Sequence, residues 1–449
     1  MTFPRIRRAL SLCALALGVA ACEEVEQVQD RFRDMTPREA YLASLADAGL
    51  DQTALGRDWV AAGRVALDAA VPVSLPFPEE GFITPEDPGA RAYRVDIGRG
   101  RRLKAEVRLE TDEGTQVFVD LLRLPEDAED PLRPVVSLDS VPSTFEYEPW
   151  RAGEFILRLQ PELLRGGRYR VVLRLEAQLA FPVRGYDDLA IQSVFGAPRE
   201  GGRRSHNGVD IFARRGTPVL AAADGTVRRV EVTNLGGKVV WLRDPARRSS
   251  LYYAHLDSQA VRNGQEVRAG DIVGFVGNTG NARTTPPHLH FGIYRRGEGP
   301  VDPAPFLRGS LGTLAELAVD VGRLGSWVRL RNDGIRLRAA PGTRAPVVRE
   351  MGRYTPLRVL GGSGEWYRVQ LPDGGLGYVA ARLTEPADRP LETRTAQLGA
   401  TVLVQPNEMA PVLTELEAGA RVPVLGRFDH YLYVRAPSGQ MGWIGADGP

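Results

Sequence analysis

The sequence predicts a mainly β protein of several domains, preceded by short N-terminal helices. Runs in which apolar and polar residues alternate cross the middle of the chain, as in half-buried strands. The last third repeats itself, since a gap-free shift of 65 positions places Pro341 on Pro406 and Ala345-Pro346-Val347 on Ala410-Pro411-Val412. A chain of 449 residues is long for one core, and domains usually hold ~100–200 residues, so we expect three or four domains.

The overall charge gives no indication of a nucleic-acid partner. The chain has 57 basic and 56 acidic residues and a formal net charge of +1, so the sequence predicts no basic surface of the kind that binds phosphate backbones. Beyond the N-terminal segment, no stretch reaches the ~18 uninterrupted apolar residues of a membrane span. We therefore expect a protein that neither binds nucleic acid nor crosses a bilayer.

Residues 1–22 are predicted to be an export signal. Arg5, Arg7 and Arg8 form a positive segment, and the apolar stretch Ala9–Leu17 is too short to span a bilayer. The following Val19-Ala20-Ala21-Cys22 resembles the lipobox of bacterial lipoproteins, in which the peptide is cleaved before the cysteine and the cysteine is diacylated. The alternative is an ordinary secretory signal with an accidental cysteine.

Cysteine usage agrees with lipidation at Cys22. Cys13 leaves with the signal, so Cys22 has no disulfide partner, and a lone thiol in an oxidising compartment is a liability unless lipid caps it. The resemblance implies a protein that is anchored in the cell envelope and faces the periplasm. In that pattern an aspartate after the cysteine favours the inner membrane, so Glu23 favours the outer membrane.

Residues 23–90 are predicted to be a polar tether followed by short helices. Thr36-Pro37-Arg38-Glu39 is typical of a helix start, with the threonine as N-cap and the glutamate as its partner in a capping box. A second helical stretch, Trp59–Ala69, precedes a loop at Leu75–Pro88 that contains four prolines. We interpret the helices as a stalk or an oligomer contact.

Residues 91–180 are predicted to form an antiparallel β-sandwich. Five runs beginning near Tyr93, Leu103, Val117, Phe155 and Tyr169 are rich in apolar residues, mostly alternating with polar ones, and several of them are separated by glycine turns. The pattern YRV…GRRLKAEV…AGEFILRLQ…GGRYRVVL resembles the β-sandwich modules appended to secreted bacterial peptidases. Any other antiparallel sandwich would have the same consequence, which is a spacer or binding domain.

The repeated segment follows a linker at 309–325 and consists of two units at 326–386 and 391–449. LRAAPG…WYRVQLPDGGLGYV in the first unit resembles a bacterial SH3-like barrel, and such modules usually bind cell-wall peptide. We interpret the groove between strands as the binding surface. Most of the matched aromatic residues are interpreted as core: Trp366, Tyr378, Tyr431 and Trp443.

Histidine is concentrated in one part of the chain. Four of the five histidines lie in three short motifs, HNGVD from His206, YYAHLD around His255, and PPHLHFGIY around His288 and His290. Neutral imidazole is the commonest protein ligand for zinc, and aspartate is a common companion. The fifth, His430, has no such context and is interpreted as structural.

His206 and Asp210 can share one metal only if the chain turns between them. In a straight strand their Cα atoms would be roughly 13 Å apart, whereas two ligands of one zinc have donor atoms ~2 Å from the metal. Asn207-Gly208 supplies a turn-prone pair, and Val209-Asp210-Ile211 is typical of a strand start. Alone, however, the pattern H-x-x-x-D is weak.

Strand alternation brings further side chains to a common face. His288 and His290 would lie on one face with Leu289 on the other, and Tyr253 would share a face with His255. Both pairs could therefore face one groove. Three aspartates near the motifs are interpreted as turn residues: Asp224, Asp257 and Asp271.

Together these motifs resemble the lysostaphin-type (LytM-like) zinc endopeptidase family, in their usual order. Supporting matches are GTPVLAAADGTV at Gly216–Val227, GQEVRAGDIVGFVGNTG at Gly264–Gly280, and VDPAPFL at Val301–Leu307. The likeness covers about Ser193 to Leu307. It implies a β-sheet peptidase domain at residues 186–308.

The resemblance also implies a role for each residue. Zn²⁺ would be held, with water as fourth ligand, by His206, Asp210 and His290. The water would be activated, and the tetrahedral intermediate stabilised, by His255 and His288. Tyr253 is a further candidate, for oxyanion support. Because the chain has no H-E-x-x-H helix, this chemistry must depend on histidines.

The implied function is zinc-dependent hydrolysis of peptide cross-links in peptidoglycan. A function of another class is non-catalytic activation of a cell-wall amidase, but related domains with that role typically lack metal ligands, and all five side chains are present here. A wall-binding lipoprotein with incidental activity is a third reading. The bond that is cut, a regulatory protein partner and the oligomeric state stay open.

Overall fold

The computed structural model describes residues 35–85, 89–127, 129–309, 312–397 and 399–446. The predicted signal peptide and its lipidated Cys22 lie outside the described residues. Within those ranges no helix is both long enough and apolar enough to cross a bilayer. Strands far outnumber helices in the described residues, so the mainly β class predicted from alternation is confirmed.

Helical structure is confined to short segments. The described α-helices are α1 (Pro37–Asp47), α2 (Ala54–Asp68) and α3 (Ala304–Leu307). Single 3₁₀ turns occur at Leu50–Gln52, Asp188–Ala190, Glu200–Gly202, Gly280–Ala282, Val321–Arg323 and Ala381–Leu383. Most of them join strands or helices, which is where short 3₁₀ pieces are usually found.

The two N-terminal helices pack against the sandwich and do not form a free stalk. Helix α1 starts at the predicted capping box, because the Thr36 hydroxyl accepts from the Glu39 amide and the Glu39 carboxylate accepts from the Thr36 amide. Helix α2 buries Trp59, whose indole N–H donates to the Pro161 carbonyl at 2.8 Å. The Trp59 ring also lies edge-on to Phe118, a buried residue of the sandwich.

Nine strands build the sandwich, and the predicted runs at Tyr93, Leu103, Val117, Phe155 and Tyr169 each lie within one of them. They are β1 (Val71–Pro72), β2 (Phe77–Ile83), β3 (Arg91–Ile97), β4 (Arg101–Glu110), β5 (Val117–Arg123), β6 (Arg133–Leu138), β7 (Ser143–Tyr147), β8 (Gly153–Pro161) and β9 (Gly167–Ala177). One sheet has the order β1-β3-β8-β5-β6, and the facing sheet contains β2-β9-β4-β7. Their inward side chains form one apolar core.

The expectation of a loop at Leu75–Pro88 is wrong, because β2 occupies its centre. Strand β2 pairs with β9 along its whole length and with β26 (Pro356–Ser363) of the first repeat at Glu80 and Gly81. Proline disfavours strands because it cannot donate a backbone hydrogen bond. At Pro78, however, β2 is paired only with β9, so the strand is locally an edge and tolerates proline.

A buried carboxylate joins the sandwich to the first repeat. Glu79 on β2 is fully buried, and its oxygens accept from the hydroxyls of Tyr93, Tyr169 and Tyr378 and from the Arg368 guanidinium. Tyr93 and Tyr169 belong to the sandwich, whereas Tyr378 and Arg368 belong to the repeat. A buried charge is tolerated when it is paired and hydrogen-bonded, so this cluster holds the two units together.

The peptidase-like region is a second β unit of thirteen short strands. They are β10 (Ile191–Ser193), β11 (Pro198–Arg199), β12 (Arg204–Ser205), β13 (Val209–Phe212), β14 (Pro218–Leu220), β15 (Gly225–Thr233), β16 (Gly237–Asp244), β17 (Ser249–Leu256), β18 (Ser258–Gln259), β19 (Glu266–Val267), β20 (Ile272–Phe275), β21 (His288–Arg295) and β22 (Gly299–Val301). The main sheet runs β10-β13-β21-β17-β16-β15-β19, with β22 beside β21. Smaller sheets are β14-β20-β18 and the hairpin β11-β12.

The C-terminal strands confirm the internal repeat. The first unit has β23 (Trp327–Leu330), β24 (Ile335–Arg338), β25 (Val347–Met351), β26, β27 (Trp366–Gln370), β28 (Leu376–Ala380) and β29 (Thr384–Pro386). The second has β30 (Glu392–Thr395), β31 (Thr401–Leu403), β32 (Val412–Glu415), β33 (Arg421–Phe428), β34 (Tyr431–Arg435) and β35 (Met441–Gly445). Strands β30, β33, β34 and β35 each begin 65 residues after β23, β26, β27 and β28.

Neither repeat closes into a barrel among the described residues. The second runs β30-β33-β34-β35-β31-β32, and its end strands do not pair. The repeats instead share a core, in which Trp327 of the first contacts Tyr433 of the second with ring centroids 4.9 Å apart. Tyr378 and Trp443 are buried, which confirms their interpretation as core aromatics.

The peptidase-like region also rests on the sandwich. The Arg295 guanidinium lies 4.0 Å from the centroid of the Trp150 ring and donates to the Trp150 carbonyl at 2.8 Å. From the sandwich, the Arg101 guanidinium donates to the carbonyls of Arg308 and Gly309 at 2.6 and 3.0 Å. These contacts involve the end of β21 and the segment after α3, and none of the described residues that line the site below belongs to the sandwich.

Candidate functional site

Neighbouring strands at the centre of the main sheet bring the candidate residues together. In the β13–β21 ladder Asp210 lies directly opposite His290. Leu289 and Phe291 point into the apolar core, so His288 and His290 emerge on the other face, as alternation predicts. The core therefore fixes the direction of both imidazoles.

His206 reaches the same face because the chain turns immediately before β13. Its amide donates to the Ala197 carbonyl at 2.9 Å, and the turn passes through Asn207 and Gly208, as the sequence predicts. A Cβ on Gly208 would lie 2.5 Å from the Phe291 carbonyl oxygen and 2.8 Å from the His290 ring. Only glycine lets the turn approach β21 this closely.

His206, Asp210 and His290 present one donor atom each to a common point. His206 Nε2 lies 2.9 Å from His290 Nδ1 and 3.0 Å from Asp210 Oδ1, and His290 Nδ1 lies 2.9 Å from Asp210 Oδ1. Ligands at about 2.0–2.1 Å in a tetrahedral zinc site have donor atoms about 3.3 Å apart. The observed spacing is within a few tenths of an ångström of that value, so the three residues fit such an ion.

His255 and His288 flank this triad without joining it. His288 Nε2 is 4.0 Å from Asp210 Oδ1, and the His255 and His288 ring centroids are 5.1 Å apart. His255 Nδ1 lies 2.9 Å from the Thr279 carbonyl oxygen and His288 Nδ1 lies 2.8 Å from that of Pro286. Because a carbonyl only accepts, each Nδ1 carries a proton, so Nε2 is the nitrogen of each ring that can exchange a proton in the cleft.

Tyr253 does not belong to the site, so its expected role in oxyanion support is wrong. Its ring is fully buried in the core, and its hydroxyl accepts from the Ala222 amide at 2.9 Å. Regular alternation would have sent His255 into the core beside it. His255 instead has φ of 61°, a left-handed conformation that is rare for a residue with a side chain, and this redirects its imidazole to the opposite face.

The surroundings set the charge state that metal ligands need. Burial, then the neighbouring His288 and His290, lowers the pKa of His255 to about 4. Burial also lowers the pKa of His290, although Asp210 opposes this effect. Burial disfavours a charged Asp210, but hydrogen bonds with His206 and His290 prevail and hold the pKa of its carboxyl well below the usual range. At neutral pH these shifts favour an ionised Asp210 beside neutral His255 and His290.

The five side chains line a cleft of about 430 Å³. One wall is aromatic, with Trp241 packed against Tyr252 and Tyr294 at centroid distances of 4.4 and 5.1 Å. Tyr252 also lies edge-on to His290 at 5.8 Å. None of the described lining residues comes from the sandwich or the repeats. A larger cavity of about 1010 Å³, between the sandwich and the peptidase-like region, has no histidine in its described lining.

The remaining candidates lie outside the cleft. Asp224 and Asp271 accept from loop amides at 2.7 and 2.8 Å, as expected of turn residues, whereas Asp257 pairs with the exposed Arg215. His430 is exposed between β33 and β34. Sequence reasoning missed Tyr252, which alternation from the buried Tyr253 could have placed on the cleft face.

Two family models match the chain. Residues 204–303 match Peptidase family M23, and residues 333–385 match the bacterial SH3 domain. The first match spans the histidine motifs and the second spans most of the first repeat. The predicted peptidase-like and SH3-like units are therefore present, each over part of the chain.

Named relatives share the first of these regions. The chain is 38% identical over 140 residues to L-Ala--D-Glu endopeptidase of Bacillus subtilis, covering 29% of this chain and 43% of that protein. It is 37% identical over 97 residues to the peptidoglycan DD-endopeptidase ShyC of Vibrio cholerae, covering 21% of each. Against the catalytic domain of lysostaphin from Staphylococcus simulans the identity is 34%, with 25% of this chain and 87% of that chain covered and a TM-score of 0.23. The chain thus spans less than half the length of the Bacillus subtilis and Vibrio cholerae relatives.

Proposed function

The chain carries a Peptidase family M23 domain, and from this premise we propose that it is a zinc-dependent endopeptidase that hydrolyses peptide cross-links of peptidoglycan. The observation that carries the proposal is the convergence of His206, Asp210 and His290 beside two further histidines in one cleft. Relatives named as peptidoglycan endopeptidases support the choice of substrate.

Zinc is the metal that this donor set favours. Two imidazole nitrogens and one carboxylate oxygen form a mixed nitrogen and oxygen set with three protein ligands, which is typical of catalytic zinc. When bound, the ion would polarise the scissile carbonyl and lower the pKa of water in the cleft. His206 is prepared for this role, because its Nδ1 donates to the Val194 carbonyl at 2.9 Å and leaves Nε2 free to ligate.

His255 and His288 would move the protons of the reaction. Hydrolysis adds water to the peptide carbonyl, and its proton must pass to a base before the carbon–nitrogen bond breaks and the leaving amine takes a proton. His255 Nε2 suits the base, because His255 is neutral at pH 7 and its Nδ1–H is held by Thr279. With His288 Nδ1–H held by Pro286, its Nε2 would face the cleft and, once the ring has taken up a second proton, would donate to charge that develops on the carbonyl oxygen.

The other units would place the enzyme at the wall. The sandwich contacts both the catalytic region and the first repeat, and the Glu79 cluster ties it to that repeat. Such contacts would fix the distance between the cleft and the SH3-like repeats. We assign to the repeats the holding of cell-wall peptide, since the first matches the bacterial SH3 domain.

Lipidation at Cys22 would hold the protein at a membrane facing the periplasm, and Glu23 favours the outer membrane. The support is the lipobox-like sequence alone, Val19-Ala20-Ala21-Cys22. The test is growth with a labelled fatty acid, followed by membrane fractionation of wild type and a Cys22→Ala variant. Label and outer-membrane recovery should both depend on Cys22. An equally membrane-bound, unlabelled wild type would contradict the anchor.

Digestion of purified sacculi tests the enzymatic proposal. Wild-type protein should lower the ratio of cross-linked to monomeric muropeptides, chelator should stop this, and added zinc should restore it. Mass identification of the products would show which bond is cut. An Asp210→Ala variant serves as the inactive control. Unchanged cross-linking with zinc present would refute the proposal and favour a non-catalytic role such as amidase activation.

A further inference from the structure

The two oxygens of Asp210 face different partners. Oδ1 lies 3.0 Å from His206 Nε2 and 2.9 Å from His290 Nδ1, at the point where the three donors converge. Oδ2 instead accepts from Nη2 of Arg199 at 2.7 Å. The carboxyl is buried, with 7% of the residue exposed, so both oxygens depend on these protein partners.

Arg199 is itself held beside Asp210 by a side chain of the neighbouring strand. The same Nη2 atom donates to Ser193 Oγ at 2.7 Å, and Ser193 is the ladder partner of Asp210 between β10 and β13. Arg199 ends β11, whose partner strand β12 leads directly into His206. The Gly196 amide also donates to the His206 carbonyl at 2.8 Å, which closes the hairpin. The guanidinium and two of the ligands therefore belong to one hydrogen-bonded unit.

This arrangement decides how the carboxylate can bind a cation. A carboxylate beside a metal can bind it through one oxygen or through both. With Oδ2 engaged by Arg199, only Oδ1 is available at the convergence point. If Asp210 supplies one oxygen, the protein supplies three ligand atoms in all, and the fourth position of a tetrahedral ion stays open for the reaction.

We propose that Arg199 is a positioning residue for the metal site, which sets Asp210 as a single-oxygen ligand. The inference rests on the metal site of the proposed function and adds a residue that no histidine motif contains. Partners of ligating side chains typically change metal affinity or activity 10–100-fold when removed. Arg199 is suited to this work because its guanidinium stays charged and offers several donors in a fixed plane.

The test is zinc affinity of the full chain, measured by competition with a chromophoric chelator. Arg199→Gln should bind Zn²⁺ about 10–100-fold more weakly than wild type. Arg199→Lys should recover part of the loss, because an ammonium can still donate to Oδ2. The matched control is Arg229→Gln on β15, an exposed arginine (side chain 70% exposed) outside the cleft, which should bind zinc as wild type does.

The visible spectrum of the cobalt-substituted protein is a second measurement, and a loss of folding stability alone would not change the coordination number that it reports. Four-coordinate Co²⁺ absorbs visible light more strongly than five-coordinate Co²⁺, so the Arg199→Gln spectrum should weaken if Asp210 then binds through both oxygens. Equal or tighter zinc binding by Arg199→Gln, with an unchanged cobalt spectrum, would overturn the inference and leave the proposed function standing. A wild-type chain that binds no zinc would instead contradict the metal site of the proposed function and this inference with it.

Discussion

Replacing the two histidines of β21 one at a time should separate metal binding from catalysis. His290 Nδ1 lies within 3 Å of both other donors of the triad, so His290→Ala removes one of three ligands. His288 Nε2 lies 4.0 Å from Asp210 Oδ1, and its Nδ1 is held by Pro286, so His288→Ala leaves the triad intact. Only the second variant should keep its zinc.

The expected sizes follow from these positions. General acid–base groups typically contribute 10²–10⁴-fold to a rate, so His288→Ala should lose that factor in kcat/KM, which corresponds to about 3–5 kcal/mol of transition-state stabilisation. Its zinc affinity should stay within about tenfold of wild type, the low end of the effect of residues outside the ligand set. His290→Ala should lose more than 100-fold in zinc affinity, beyond the range of such outer residues.

The assay combines metal content after gel filtration, chelator competition and release of muropeptides from sacculi. His430→Ala is the matched control, because His430 is an exposed turn residue far along the chain, and it should keep both zinc and activity. If His288→Ala loses zinc as completely as His290→Ala, the division of roles is wrong.

Three further outcomes follow from the described contacts. In the metal-free protein, the free energy of unfolding should fall by about 3 kcal/mol between pH 6.5 and 4. The reason is that His255 binds a proton in the unfolded chain over this range, whereas in the folded protein its pKa is lowered to about 4. Urea unfolding at a series of pH values measures this, and the His255→Gln variant should show a flatter pH profile than wild type. Glu79→Gln leaves the Arg368 charge buried without its carboxylate and should cost about 3–5 kcal/mol in the same assay. Tyr253→Phe should cost about 1–3 kcal/mol, since the Ala222 amide loses its acceptor, yet keep activity per folded molecule.

Each of these outcomes has a clear opposite. A His255→Gln variant with the same pH profile as wild type would show that another group takes up the proton. The control for Glu79 is Glu80→Gln, the next residue of β2. This change breaks a partly exposed ion pair with Arg170 of β9 and should cost under about 1 kcal/mol. A Tyr253→Phe variant that is folded and inactive would return Tyr253 to the site.

Much of the site could be predicted because its residues follow strand alternation. His288 and His290 share a face for the reason that alternation gives, and the turn at Gly208 brings His206 beside Asp210. Tyr253 was misplaced because alternation holds only while the backbone stays extended. The left-handed backbone conformation of His255 interrupts the alternation, and no residue type in the motif predicts that conformation.

The larger arrangement was less accessible from sequence. Four prolines made Leu75–Pro88 look like a loop, but the burial of Phe77 and Ile83 and the full-length pairing of β2 with β9 favour a strand, and Pro78 is tolerated because β2 has no second partner at that position. The function of Glu79 depends on partners almost 300 positions away, such as Tyr378. Short-range patterns carry no record of such contacts, so the link between sandwich and repeat is a property of the fold.

The central claim is that three side chains of one cleft hold a divalent zinc ion. The most direct measurement is diffraction from crystals grown with zinc, using data collected on both sides of the zinc absorption edge. We expect one anomalous peak about 2.0–2.2 Å from His206 Nε2, Asp210 Oδ1 and His290 Nδ1. The absence of a peak there in zinc-grown crystals, or a peak held by other side chains, would contradict the account.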